Sequence, residues 1–61
     1  MRALLQRLER HLRASGVKPT RFGRDAVGDP RLIGDMKNGR EPRPETAARI
    51  LAFIDAREGG G

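Results

Sequence analysis

The chain has 61 residues, one histidine and no cysteine, and thirteen Lys and Arg against eight Asp and Glu give it a net charge of +5. This composition excludes disulfide bonds and thiolate metal sites, and one histidine alone cannot form a zinc site. No apolar run approaches the ~20 residues of a membrane span and no secretory leader is evident, so we expect one cytoplasmic, nucleoid-associated domain that needs no cofactor. Arginine dominates the basic residues, and its guanidinium suits phosphates and guanine edges. With only two aromatic residues, Phe22 and Phe53, a single-strand binder that stacks bases is disfavoured.

The first predicted helix runs from Arg2 to Ser15 and ends at Gly16, a residue that favours the left-handed C-cap. Its apolar stripe at helical spacing consists of Leu4, Leu5, Leu8 and Leu12. His11 and Ser15 lie four residues apart and resemble a base with a nucleophile. An exposed helix surface offers neither a pocket nor oxyanion donors, so we interpret them as surface residues and expect no enzymatic activity.

A second, short helix is predicted from Pro19 to Val27, beginning either with Pro19 at its first position or with Thr20 as its cap. Phe22 and Ala26 share its core face at a spacing of four residues. Gly23 lies beside them and permits close approach of another helix.

The third predicted helix spans residues 30–38. Gly28 favours the end of the preceding helix, Asp29 suits the N-cap and Pro30 suits the first helical position. Asn38-Gly39 closes the helix, since either residue tolerates the left-handed C-cap. Winding at about 100° per residue gives this helix two faces. The core face carries Leu32, Ile33 and Met36, and the outward face carries Arg31, Gly34, Asp35 and Asn38.

Two prolines, at 42 and 44, keep the following segment from becoming helical, and Pro44 begins the last helix. Its predicted apolar stripe consists of Ala47, Ile50, Leu51 and Ile54. Phe53 lies beside that stripe, and it either fills the monomer core or joins Ile50 in a symmetric dimer contact. We expect the domain to occupy residues 1–58 and glycines 59–61 to form a flexible tail.

The segment Phe22 to Gly39 resembles the lambda-repressor-like (Cro-type) helix-turn-helix family of phage and bacterial transcriptional regulators. The match consists of Phe22-Gly23 at the family's apolar-small pair, Ala26, Ile33 and Met36 at core positions, Gly39 after the recognition helix, and Pro44-Glu45-Thr46 in the loop to the next helix. Two positions depart from the pattern. Val27 stands where the family has its turn glycine, and Gly34 stands where many relatives have an outward side chain.

The resemblance implies an all-α bundle of four to five short helices, with the motif at about residues 19–38 and the recognition helix in the DNA major groove. The outward face then reads bases through Arg31, Gly34, Asp35 and Asn38. A bidentate Arg31–guanine contact is the strongest candidate, and Asp35, four residues later, either holds that guanidinium or accepts from cytosine. The candidates for phosphate contacts are Arg21, Arg24, Lys37, Arg40 and Arg43.

We therefore expect a sequence-specific, double-stranded DNA-binding transcriptional regulator that acts as a homodimer and blocks or recruits RNA polymerase. The alternative is a protein-interaction module of the same fold, antitoxin-like or polymerase-associated, that binds a protein through its last helix. Binding to duplex DNA that weakens as salt rises would distinguish the first hypothesis from the second.

Overall fold

The computed structural model describes residues 2–59, apart from the side chain of Arg2. This part of the chain is all-α. It consists of four helices, α1 (Arg2–Ser15), α2 (Pro19–Val27), α3 (Leu32–Lys37) and α4 (Pro44–Gly59). The predicted all-α class is confirmed. Helix α4 includes Gly59, and the last two residues of the predicted glycine tail lie outside the described residues.

Two helix boundaries agree with the sequence signals that predicted them. Helix α2 begins at Pro19 after the extended residue Lys18, whose side chain forms no capping hydrogen bond, so Pro19 and not Thr20 marks its start. The helix ends at Gly28, which has the left-handed φ of 73°. The Gly28 N–H donates to the Arg24 carbonyl oxygen at 3.0 Å, which satisfies one of the last carbonyl groups of α2.

The turn between α2 and α3 explains the glycine at position 23. A Cβ on Gly23 would overlap the carbonyl oxygen of Asp29 and would lie 3.2 Å from the Cβ of Leu32. The Asp29 N–H also donates to the Gly23 carbonyl oxygen at 3.1 Å. The close approach predicted at Gly23 is therefore confirmed, and the approaching groups are the turn backbone and the first residue of α3.

Helix α3 is shorter than predicted, because its first turn is not α-helical. The Asp29 side chain accepts a hydrogen bond from the Arg31 N–H at 2.9 Å, as an N-cap residue does. The Asp29 carbonyl oxygen accepts from the Leu32 N–H at 3.1 Å, a three-residue turn that delays the helix to Leu32. The predicted start at Pro30 is wrong by two residues, and so is the predicted N-cap, which falls on Arg31 and not on Asp29. Asn38 is the C-cap.

The core lies where all four helices meet. Its fully or nearly fully buried apolar side chains are Leu4, Leu8, Phe22, Ala26, Leu32, Ile33, Met36, Ile50 and Ile54. Helix α2 packs against both α3 and α4, and so does α1. Leu51, expected in the core stripe, is 42% exposed, because it lies about 100° around α4 from the fully buried Ile50. No helix within residues 2–59 is long and apolar enough to cross a membrane.

Candidate nucleic-acid interface

Helix α3 separates its apolar and polar residues cleanly. Leu32, Ile33 and Met36 are at most 6% exposed and fix the helix to the core. The exposed residues on the opposite side, which we call the α3 outward face, are Arg31, Gly34, Lys37 and Asn38. The predicted core face of this helix is confirmed, and so is the exposure of three of the four predicted outward residues, Arg31, Gly34 and Asn38. Asp35, the remaining predicted member of the outward face, is half-buried.

Gly34 lies in the middle of the α3 outward face, and no contact within the fold requires a glycine there. A Cβ at this position would have no heavy atom within 4 Å, and the residue has no left-handed φ. A glycine inside a helix costs about 1 kcal/mol relative to alanine. At Gly34, unlike Gly23, packing within the protein does not explain this cost.

Asp35 and Arg40 form contacts that differ from the prediction. The Arg40 Nη1 atom lies 3.0 Å from Oδ2 of Asp35 and 3.1 Å from Oδ2 of Asp29. The Arg40 N–H also donates to the Asp35 carbonyl oxygen at 3.0 Å. The interpretation that Asp35 holds Arg31 is therefore wrong, since its carboxylate binds Arg40. Arg40, predicted as a phosphate contact, is engaged within the protein by these two carboxylates.

These contacts change the pKa of two of the groups that form them, Asp29 and Arg40. The backbone N–H of Arg31 donates to the Asp29 carboxylate and lowers the pKa of Asp29. The Arg40 guanidinium lowers it further, by a smaller amount. The two carboxylates in turn raise the pKa of Arg40. The lowered pKa of Asp29 and the raised pKa of Arg40 both favour the charged forms, so the ion pair between Asp29 and Arg40 is kept at neutral pH.

The other predicted phosphate contacts are exposed. Arg21 lies 3.5 Å from Asp25, four residues later on α2, with its side chain 71% exposed. Arg24, Lys37 and Arg43 have no carboxylate within 4.0 Å among residues 2–59. Four other exposed basic residues, which are not among the predicted phosphate contacts, also have no carboxylate within 4.0 Å in this part of the chain: Arg10, Arg13, Lys18 and Arg49.

A cluster joining α1 to the end of α4 was missed from the sequence. His11 is only 4% exposed, and its Nδ1 lies 2.8 Å from Oε2 of Glu58. Arg7 donates to both carboxylate oxygens of Glu58, at 3.3 and 3.0 Å. These partners, Arg7 first, lower the pKa of Glu58 to about 2. The interpretation of His11 as a helix-surface residue is therefore wrong. Because His11 and Glu58 are 47 residues apart, no local sequence pattern indicates their contact.

An open groove of about 580 Å³ lies beside this cluster, with His11, Ser15, Phe22 and Phe53 among its lining residues. The premise that no pocket lies beside His11 and Ser15 is thus wrong. The two residues are nevertheless not arranged as a base and nucleophile. The Nδ1 of His11 contacts Glu58, and the Ser15 hydroxyl donates to the Leu12 carbonyl oxygen at 3.4 Å.

The two residues suggested for a dimer contact both serve the monomer core. Ile50 is fully buried, so its side chain cannot form the symmetric contact that the sequence analysis allowed. Phe53 is half-buried and packs edge-to-face on Phe22, with ring centroids 5.2 Å apart. The guanidinium of Arg57 lies 4.7 Å from the centre of the Phe53 ring. Of the two alternatives for Phe53, these contacts support the monomer core.

Comparisons of the chain with protein-family models, with curated proteins and with solved structures found no significant match.

Proposed function

We propose that this protein is a sequence-specific, double-stranded DNA-binding regulator of the lambda-repressor-like helix-turn-helix type, with α3 as its recognition helix in the major groove. The observation that carries the proposal is the α3 outward face. Arg31, Lys37 and Asn38 are exposed around Gly34, while the opposite side of the helix is buried. Short polar helices held to a core by one apolar face are the elements that enter the major groove.

Each exposed residue of this face has a role suited to its chemistry. Arg31 has no carboxylate within 4.0 Å among the described residues, so its guanidinium is available for the bidentate contact with guanine. The Asn38 amide can pair with adenine, and Lys37 can contact a phosphate. Gly34 lets the helix backbone approach the groove more closely than a residue with a side chain would.

Charge outside the α3 outward face supports duplex binding in general. Arg24 on α2 and Arg43 in the loop before α4 are exposed basic residues, and the chain carries a net charge of +5. In a helix-turn-helix the first helix crosses the DNA backbone, which suits Arg24, and Arg43 extends the basic surface beyond α3. Together with Lys37, these two residues are the phosphate contacts of the proposal. Regulation would then be steric, with a bound homodimer blocking or recruiting RNA polymerase.

The test is selection of random duplexes by the purified protein at two salt concentrations, followed by variants of Arg31 and Arg43. A motif with two half-sites about one helical turn apart is expected for a specific dimer. Arg31→Ala should lose about 1 to 3 kcal/mol on the selected sequence and much less on random DNA. Arg43→Ala should weaken binding to the selected sequence and to random DNA by the same factor. It should also reduce the slope of log K against log salt concentration by about 0.9. Recovery of no motif by the unaltered protein would contradict the proposal.

A second candidate function is binding of a protein partner through α4, and exposed Leu51 is the observation that favours it. Leu51 is the large hydrophobic side chain most exposed to solvent in the described part of the chain. This candidate would be supported over DNA binding if the chain binds a protein partner with an affinity that neither salt nor Arg31→Ala changes and that Leu51→Glu abolishes.

A further inference from the structure

Arg40 connects three consecutive segments of the chain next to the α3 outward face. Its guanidinium contacts Asp29 in the turn before α3 and Asp35 within α3, at 3.1 and 3.0 Å from Nη1. Its backbone N–H donates to the Asp35 carbonyl oxygen. About half of the Arg40 side chain is exposed, so the three groups form a surface network and not a buried one.

Without Arg40, the nearest alternative partner of Asp35 along the helix is Arg31. Residues four apart on a helix are neighbours, and the Asp35 N–H already donates to the Arg31 carbonyl oxygen at 2.8 Å with helical spacing. An Arg–Asp pair at this spacing stabilises an exposed helix, although less than a pair in which the acidic residue comes first. In the folded protein the Asp35 carboxylate instead contacts Arg40, and Arg31 has no carboxylate within 4.0 Å in the described part of the chain.

We propose that Arg40 is a positioning residue that holds Asp35 away from Arg31 and thereby keeps the Arg31 guanidinium free for base recognition. The inference rests on the proposed DNA-binding function and assigns to Arg40 a role other than the phosphate contact expected from its position in the sequence. Asp35 then serves the interface through Arg40 and not by reading a base.

This role and a phosphate contact predict different losses when Arg40 is removed. A lost phosphate contact weakens binding to every duplex by the same factor, because phosphates carry no sequence information. Capture of Arg31 by a released Asp35 weakens binding to the selected sequence more than binding to random DNA. The ratio of the two affinities, the specificity ratio, therefore separates the two roles.

The experiment is a double-mutant cycle with Arg40→Ala and Asp35→Asn, and it measures affinity for the selected duplex and for a scrambled one. Asparagine keeps the shape of the Asp35 side chain and removes its charge. Arg40→Ala should lower the specificity ratio about two- to fivefold, the strength of an exposed ion pair. Asp35→Asn in the Arg40→Ala background should restore most of the ratio, whereas Asp35→Asn alone should leave it within about twofold.

Arg43→Ala is the matched control, because Arg43 lies in the same loop and has no carboxylate within 4.0 Å among the described residues. It should lower both affinities equally, and Asp35→Asn should not rescue it. The inference is overturned if Arg40→Ala also lowers both affinities equally, or if Asp35→Asn fails to restore its ratio. Failure of the unaltered protein to bind any duplex overturns the proposed function itself, which distinguishes the two failures.

Discussion

Two helical glycines offer a direct test of the packing around α3, because the same substitution should have opposite effects at the two sites. Replacing a helical glycine by alanine stabilises a helix by about 1 kcal/mol where there is room for the methyl group. Gly34 has that room, since a Cβ there meets nothing within 4 Å. Gly34→Ala should therefore raise the free energy of unfolding by about 0.5 to 1 kcal/mol.

Gly23→Ala should destabilise the protein by about 2 kcal/mol despite the same helical gain. The added Cβ overlaps the Asp29 carbonyl oxygen, which is a backbone atom and cannot rotate away. Moving the turn would cost about 1 to 3 kcal/mol and would weaken the hydrogen bond from Asp29 to Gly23, worth about another 1 kcal/mol.

Thermal unfolding followed by circular dichroism measures both effects. In a domain of this size about 1 kcal/mol shifts the melting temperature by about 4 to 8 °C, so Gly23→Ala should melt about 10 °C lower and Gly34→Ala several degrees higher. Equal melting temperatures for the two variants would refute the packing described at Gly23. If α3 enters the major groove, Gly34→Ala should also bind duplex DNA more weakly while being more stable.

Three further expectations follow from the core and from the cluster joining α1 to α4. Because the pKa of Glu58 is lowered from 4.5 to about 2 in the folded protein, the unfolded chain binds more protons in this window, and stability should fall as pH falls through it. Glu58→Gln should flatten that fall in a series of denaturant melts, whereas exposed Glu41→Gln should not change it. Ile50 is fully buried, so Ile50→Ala should lower the free energy of unfolding by about 2 to 5 kcal/mol. Leu51 is exposed, so Leu51→Ala should lower it by less than about 1 kcal/mol, and similar losses at the two positions would contradict the orientation of α4.

Helix boundaries were predictable where the signal is contained in a few neighbouring residues. Pro19 fixes its own φ, and Gly28 adopts a left-handed conformation that costs other residues more, so each marks a helix end without help from the rest of the fold. The start of α3 was not predictable in the same way. The Asp29 side chain accepts from the Arg31 N–H, but the chain then makes a turn, and Arg31 instead of the predicted Asp29 is the N-cap of the helix that begins at Leu32.

Side-chain burial was predictable only as far as a single helix determines it. Periodicity places Ile50 and Leu51 in one stripe of α4, but the position of the neighbouring helices decides that Ile50 is buried and Leu51 is not. The burial of the polar residue His11 likewise depends on other helices. Its burial depends on Phe22 of α2, whose ring lies 5.6 Å away, and on Glu58 of α4. Both partners lie on other helices, so the residue pattern of α1 alone could not indicate that His11 is buried.

The charge of the candidate interface depends on pairing that composition does not reveal. Among the described side chains, five of the eight acidic residues lie within 4.0 Å of a basic one, and only three arginines and His11 supply those contacts. Arg40 alone engages two carboxylates. Most exposed basic side chains therefore keep their charge uncompensated by a direct neighbour, and Arg31 is one of them. If the protein binds DNA as proposed, the guanidinium groups available for DNA contacts are therefore set by which arginines pair within the protein and not by the number of arginines.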